Sequence, residues 1–226
     1  MISLHTFSIV ARDAAVGAFG VAVATARPAV GALVPFVSLH GAIATQARVS
    51  TDIGRRAIAM LEQGVPVGVA LRTLLEGDSD REIRQVHGVD TAGTFCHTGA
   101  ECVSWCGHHD GGDFTVAGNM LAGPQVIEAM PKPFLAARGD GKEFSEGLLL
   151  ALEAGQAAGG DKRGKQSAAL LVASCAPRGY HNLRVDDHAD PVAELRRVYE
   201  VAVAHWHRVA REYGHEAQRL FGRIKY

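Results

Sequence analysis

Phe7, Ile9 and Ala11 alternate with Ser8, Val10 and Arg12 ahead of the Asp13-Ala14-Ala15-Val16-Gly17 turn, a period-two pattern that predicts the first arm of a β-hairpin. Residues 20–25 and 41–46 are short runs of small and β-branched side chains without polar alternation, as in strands covered on both faces. From Ser50 the period lengthens. Ser50 or Thr51 can cap a helix, Ile53, Ala57, Met60 and Leu61 share one face, and Gly64 supplies a stop. Pro66 opens a second helix with Ala70, Leu71, Leu74 and Leu75 inward, ending at Gly77. Strand character returns over 84–90, 93–98, 103–108 and 114–119. Residues 121–130 predict a helix that must break or kink at Pro131 and Pro133, which remove backbone donors. A helix over 144–156 stops at Gly159-Gly160, 167–175 is a buried strand, and 182–186 an edge strand beside it. Asp190-Pro191 then caps and opens a long terminal helix in which Leu195, Val198, Ala202, Val203, Trp206, Val209 and Tyr213 recur at helical spacing. Its other face carries Arg196, Arg197, His205, Arg208, Arg211, Arg219 and Arg223, expected to be solvated rather than to bind a polyanion.

Strands, helices, strands, helices, strands is neither a βαβ alternation nor an all-β order, and the glycine-linked early strands imply antiparallel pairing. The expected fold is therefore α+β: a four-layer α-β-β-α sandwich of two mostly antiparallel sheets over residues 1–188, with 189–226 a helical extension. The apolar stripe of that extension packs on its own domain or, alternatively, pairs with a second copy as a homodimer; packing at home is the commoner use of such a stripe.

Composition narrows the function. With Lys+Arg 23 against Asp+Glu 24 over 226 residues, the net charge of -1 offers no global attraction to nucleic acid or to a membrane surface. No run reaches the roughly 18 to 20 apolar residues of a membrane span, and the first residues lack the positive start of a secretory signal. A cytoplasmic location is expected, with Cys96, Cys102, Cys106 and Cys175 as reduced thiols. The Cys96–Asp110 stretch, rich in Cys and His, invites zinc, but it has no Cys-x-x-Cys knuckle, and small core thiols are the better account. Gly159-Gly160-Asp161-Lys162-Arg163-Gly164-Lys165-Gln166 nearly spells a phosphate loop, yet Gln166 stands where a hydroxyl should meet magnesium, and the segment leaves a helix for a strand instead of the reverse. The same loop is able to hold a carboxylate through a guanidinium, or is simply a charged turn. Gly118-Asn119, between a strand and a helix, offers either oxyanion donors or an ordinary helix cap.

Thr6-Phe7-Ser8-Ile9-Val10-Ala11-Arg12-Asp13, Gly20-Val21-Ala22-Val23-Ala24-Thr25, Ala44-Thr45-Gln46-Ala47, Gly118-Asn119-Met120-Leu121 and the stretch from Ala158 to Ala169 together resemble the bacterial and archaeal family known as domain of unknown function 1028, assigned to the N-terminal-nucleophile (Ntn) hydrolases. The resemblance covers about residues 6 to 175. It implies the same four-layer sandwich and a nucleophile at the start of the first strand, where Thr6 stands. A free threonine amine, pKa about 7.7 to 8.0, takes the proton of its own hydroxyl. Asn119 and a backbone donor near Gly118 then stabilise the oxyanion, while Gln46, Asp161, Arg163 and Gln166 hold a small amide or peptide-like substrate, with no cofactor. Met1 to His5 stand before Thr6, and Ile2 is too bulky for ordinary methionine trimming, so the amine requires cleavage of the His5-Thr6 bond. Ser8, on the same face but deeper in the strand, is a poor substitute. The alternative is a non-catalytic ligand-binding or assembly protein that keeps the fold without a free nucleophile.

Overall fold

The computed structural model describes residues 6–175 and 182–214. Thr6–Asp13 (β1) and Ala18–Thr25 (β2) form the predicted antiparallel hairpin, with Thr6 opposite Thr25. The reversal passes through Gly17 at φ 62°, a left-handed backbone that only glycine adopts without cost. Pro35–Ser38 (β3) and Gly41–Ala47 (β4) follow, then Thr51–Glu62 (α1) and Val67–Glu76 (α2). Ser50 does cap α1: its side chain accepts from the Ile53 amide at 3.3 Å. Arg84–Asp90 (β5), Thr94–Thr98 (β6), Gly107–Asp110 (β7) and Phe114–Asn119 (β8) lead to Gln125–Ala129 (α3), Pro131–Gly139 (α4) and Phe144–Ala157 (α5). Ser167–Ala173 (β9), Asn182–Val185 (β10) and Pro191–Tyr213 (α6) complete the described chain.

Two antiparallel sheets result, one of six strands in the order β10-β9-β2-β1-β8-β7 and one of four in the order β3-β4-β5-β6. Strands adjacent in sequence are thus divided between layers: β4 pairs with β5, while β8 crosses back to lie beside β1. Period two decides what each face meets. From β1, Phe7, Ile9 and Ala11 join Leu148, Leu149 and Leu152 of α5 in a cluster beneath α3 to α6. From β4 and β5, Ile43 and Val86 pack with Ile53, Leu61, Leu71 and Leu75 of α1 and α2. Between the sheets, Val10, Val21, Val23, Ala42, Ala44, Val89 and Ala169 belong to a third core. The order of layers is therefore helix, sheet, sheet, helix, as expected.

Several details differ from the sequence reading. β3 carries no sequence signal distinct enough to be recognised beforehand. β7 begins at Gly107 rather than at residue 103, because the backbones of Val103 and Trp105 turn to accept from Met120 and Leu121. The helix expected from 121 begins only after Pro124; Leu121 instead forms an isolated bridge to Asp161. The expected break is present, with α3 ending before Met130 and Pro131 opening α4 at its first position. In α6, Asp190 precedes the helix but its side chain makes no cap; one oxygen lies 3.2 Å from Lys165 Nζ. Leu195, Tyr199 and Trp206 enter the core, whereas Tyr213 is 46% exposed. Arg196, placed on the solvated face by pattern alone, is half-buried and forks between Glu146 and Glu153 of α5 at 2.6–3.0 Å. Arg219 and Arg223 lie outside the described residues, as does the Met1 to His5 leader. Among the described residues no helix is long and apolar enough to cross a membrane.

Candidate functional site

The space between the sheets is apolar at one end and polar at the other. On β1, alternation sends Thr6 and Ser8 to the same inner face as Val10; on β4, Gln46 follows Ala44; on β5, Gln85 and His87 precede Val89; on β8, Thr115 and Asn119 share a face. All are buried. A polar group so placed must be hydrogen-bonded to be tolerated, and these are bonded to one another.

Their orientation can be deduced without seeing a hydrogen. Backbone carbonyls only accept, and one end of the Gln85 amide lies 2.9 Å from Gly118 O and 3.1 Å from Gly107 O, so that end is Nε2. Gln85 Oε1 therefore faces two donors, Gln46 Nε2 at 2.8 Å and Asn119 Nδ2 at 3.0 Å. Gln46 in turn presents Oε1 to Ser8, which donates at 2.8 Å. Having given its only proton, Ser8 must accept from His87 Nε2 at 2.7 Å. In a neutral ring Nδ1 is then the acceptor, and Thr115 Oγ1 donates to it at 2.8 Å. Burial first, and the nearby His108 second, push the His87 pKa down to about 3, which agrees with a neutral ring. Ser8 and His87 are thus a serine and a histidine in contact with the wrong polarity for a base and its nucleophile.

Thr6 sits where this seam reaches the strand ends. The register pairs it with Asn119 on one side and Thr25 on the other, and its Oγ1 lies 3.4 Å from Thr25 Oγ1. Gly118 pairs with Phe7, and a Cβ there would strike Leu121, whose side chain folds back over it. Asn119 is a strand residue bonded to Gln85, which removes the helix-cap reading. Asp161 is buried beyond Thr25: its carboxylate accepts from Ala26 N, Arg163 N and Arg163 Nη2 at 2.9, 2.9 and 3.1 Å. Burial raises its pKa and lowers that of half-buried Arg163.

Of the residues singled out from sequence, the structure brings Thr6, Gly118, Asn119 and Gln46 to one seam and sets Asp161 and Arg163 at its Thr25 end. Gln46 reaches that end only through Gln85. The Gln166 side chain turns away to Asp187 at 3.1 Å. Gln85, His87 and Thr115 were not recognised from sequence; their shared parity with Val89 on β5 and with Asn119 on β8 was the available signal. Burial pushes Cys96 up to about 12 and Cys102 to about 11, keeping both thiols protonated at neutral pH. Among the described residues no group of three His, Cys, Asp or Glu side chains is arranged to hold a metal.

Comparison with known proteins gives a family but no reaction. The model of a family of unknown function, DUF1028, matches residues 6–195. Among solved structures, the chain is similar to protein SPO2555 from Silicibacter pomeroyi, also placed in DUF1028, with 34% identity and a TM-score of 0.80 over 88% of this chain and 86% of that one. No curated protein matches.

Proposed function

The chain belongs to DUF1028, a family of unknown function, and from that premise we propose that it is an Ntn-type amidohydrolase with Thr6 as nucleophile, acting on a small amide or peptide-like substrate. The observation that carries this reading is the register of Thr6 opposite Asn119 at the polar end of the seam, with the Asn119 amide aimed by Gln85.

In this mechanism the His5-Thr6 bond is cut first, giving Thr6 an α-amine. The amine takes the hydroxyl proton as the oxygen attacks the substrate carbonyl. Donors fixed in advance lower the cost of the oxyanion, and Asn119 Nδ2, with a backbone donor near Gly118, fills that role. The ammonium then protonates the leaving nitrogen, the C–N bond breaks, and water releases the acid from the threonine ester. Gln46 acts as a positioning residue through Gln85. Asp161 and Arg163 bound the substrate end, and Gln166 contributes through its backbone beside Thr25. The neutral, donating His87 argues against Ser8 as a rival nucleophile.

The mass of the purified protein tests the premise, with a mature N-terminus at Thr6 expected. Thr6→Ala should abolish release of amine from a panel of N-acyl amino acids and short peptides. An intact Met1 in a protein whose amidase activity survives Thr6→Ala would overturn the reading, and an intact Met1 with no activity would favour the non-catalytic alternative.

A further inference from the structure

Arg27 lies two residues past Thr25, where β2 leaves the sheet beside Thr6. Its Nε is buried without a hydrogen-bond partner, the one such side-chain polar atom among the described residues. An unpaired N–H of a charged group is among the costliest things a fold can bury, and such an orphan calls for a ligand, an ion or a water. Arg27 makes no ion pair with any described residue. The Asp161 carboxylate feels its charge but is already engaged by Ala26 and Arg163. Lys162 adds a further positive charge beside Asp161 while donating to Ser104 O at 2.9 Å. Three cations therefore surround one carboxylate, and the excess charge is positive. The arm also leaves from a fixed point: Ser167 Oγ accepts from Val30 N at 3.1 Å and donates to Arg27 O.

We propose that Arg27 is an anion-binding group that takes a carboxylate of the substrate, so that the amide reaching Thr6 belongs to a small acid such as an N-acylated amino acid. The identity of the reaction rests on the hydrolytic reading; the anion site does not. A planar carboxylate matches the fork of a guanidinium. The Cα atoms of Thr25 and Arg27 are at most about 7 Å apart, a span that acid and amide cover within one small molecule. Arg27 takes over the role that sequence assigned to Arg163, whose guanidinium is already tied to Asp161.

The test uses Thr6→Ala protein, in which turnover is suppressed, and calorimetric titration with N-acetyl derivatives of glycine, alanine, serine and aspartate, their neutral amides, and inorganic phosphate. At least one acid should bind tenfold or more tightly than its amide and raise the melting temperature. Arg27→Met should erase that preference while leaving the unliganded melting temperature equal or higher, since the orphan charge is gone. A structural arginine would instead lower it. Should the methionine variant fail to fold, Arg27→Lys, which keeps the charge but not the fork, should still weaken the acid tenfold. Acid binding unchanged in the variant that folds, no acid preference across the panel, or phosphate binding in its place would overturn the proposal. Acid binding through Arg27 in a protein without hydrolytic activity leaves the site standing and removes the hydrolase. In protein that keeps Thr6, hydrolysis of neutral amides that ignores Arg27→Met does the reverse.

Discussion

At the scale of single residues, Gln85 decides the polarity of the whole seam, because two backbone carbonyls fix its amide and each neighbour then has one orientation left. Gln85→Leu should strand the Gln46 amide in a buried space and remove one partner each from Asn119 and the Gly118 carbonyl. At about 1–3 kcal/mol for an unsatisfied buried group, a loss of about 1–3 kcal/mol is expected in urea unfolding; a loss under about 1 kcal/mol would mean that the seam is wet. His87 supplies a second expectation. Its folded pKa of about 3 lies below the ordinary 6.5, so the unfolded chain binds the proton that the fold refuses. Its contribution is whole above pH 6.5 and shrinks as pH falls toward 3, by up to about 1.4 kcal/mol per pH unit. His87→Gln should flatten the pH dependence of unfolding free energy between pH 6 and 4, and parallel curves for the two proteins would show that the ring charges in the fold.

At the scale of elements, α6 is tied to α5 by the fork of Arg196 and by the buried Ser145–Tyr199 hydroxyl pair at 3.1 Å. Arg196 grips Glu146 and Glu153 and lies 5.6 Å from the centre of the Tyr199 ring, inside the reach of about 6 Å over which a ring face attracts a cation. Arg197, one residue on, pairs only with Glu194 at the surface. Arg196→Met should therefore lower stability by about 1–3 kcal/mol, between the exposed and buried limits for ion pairs, and Arg197→Met by under about 1 kcal/mol. Equal effects in thermal melts would mean that the fork adds nothing beyond surface charge. Elements with a local signature were legible in sequence: the Gly17 hairpin, the Ser50 cap, the Pro131 break and the stripe of α6. What escaped was settled by distant partners. Arg196 has the pattern of a solvated residue because helical periodicity records apolar side chains and not the glutamates on another helix. Likewise, the parity of Gln85 and His87 on β5 is visible, but nothing local says that Ser8 and Asn119 stand opposite. Thr6 and Asn119 were found through the family resemblance, whereas Arg27 was missed because an unpaired nitrogen is a property of the packed fold alone.

At the scale of the whole molecule, the apolar core is unevenly shared among the layers. Part of the space between the sheets is given over to the polar seam, so more of the apolar burial falls to the two outer clusters. The larger of these spans β1, β9 and β10 on one side and α3 to α6 on the other, and α6 supplies Leu195, Tyr199 and Trp206 to it. At about 1.5–3 kcal/mol for each large apolar side chain buried, these residues together approach the 5–15 kcal/mol by which whole domains are stable. Loss of α6 would also bare Leu183 and Val185 on the edge strand β10, where an uncovered apolar edge invites aggregation. Truncation before Asp190 should therefore abolish the cooperative unfolding transition and leave aggregates in light scattering, rather than release a stable core from an appendage. A truncated protein that melts cooperatively within about 2 kcal/mol of the full chain would make α6 dispensable to the sandwich. If light scattering then also showed a dimer becoming a monomer, the apolar stripe of α6 would belong to a contact between two copies.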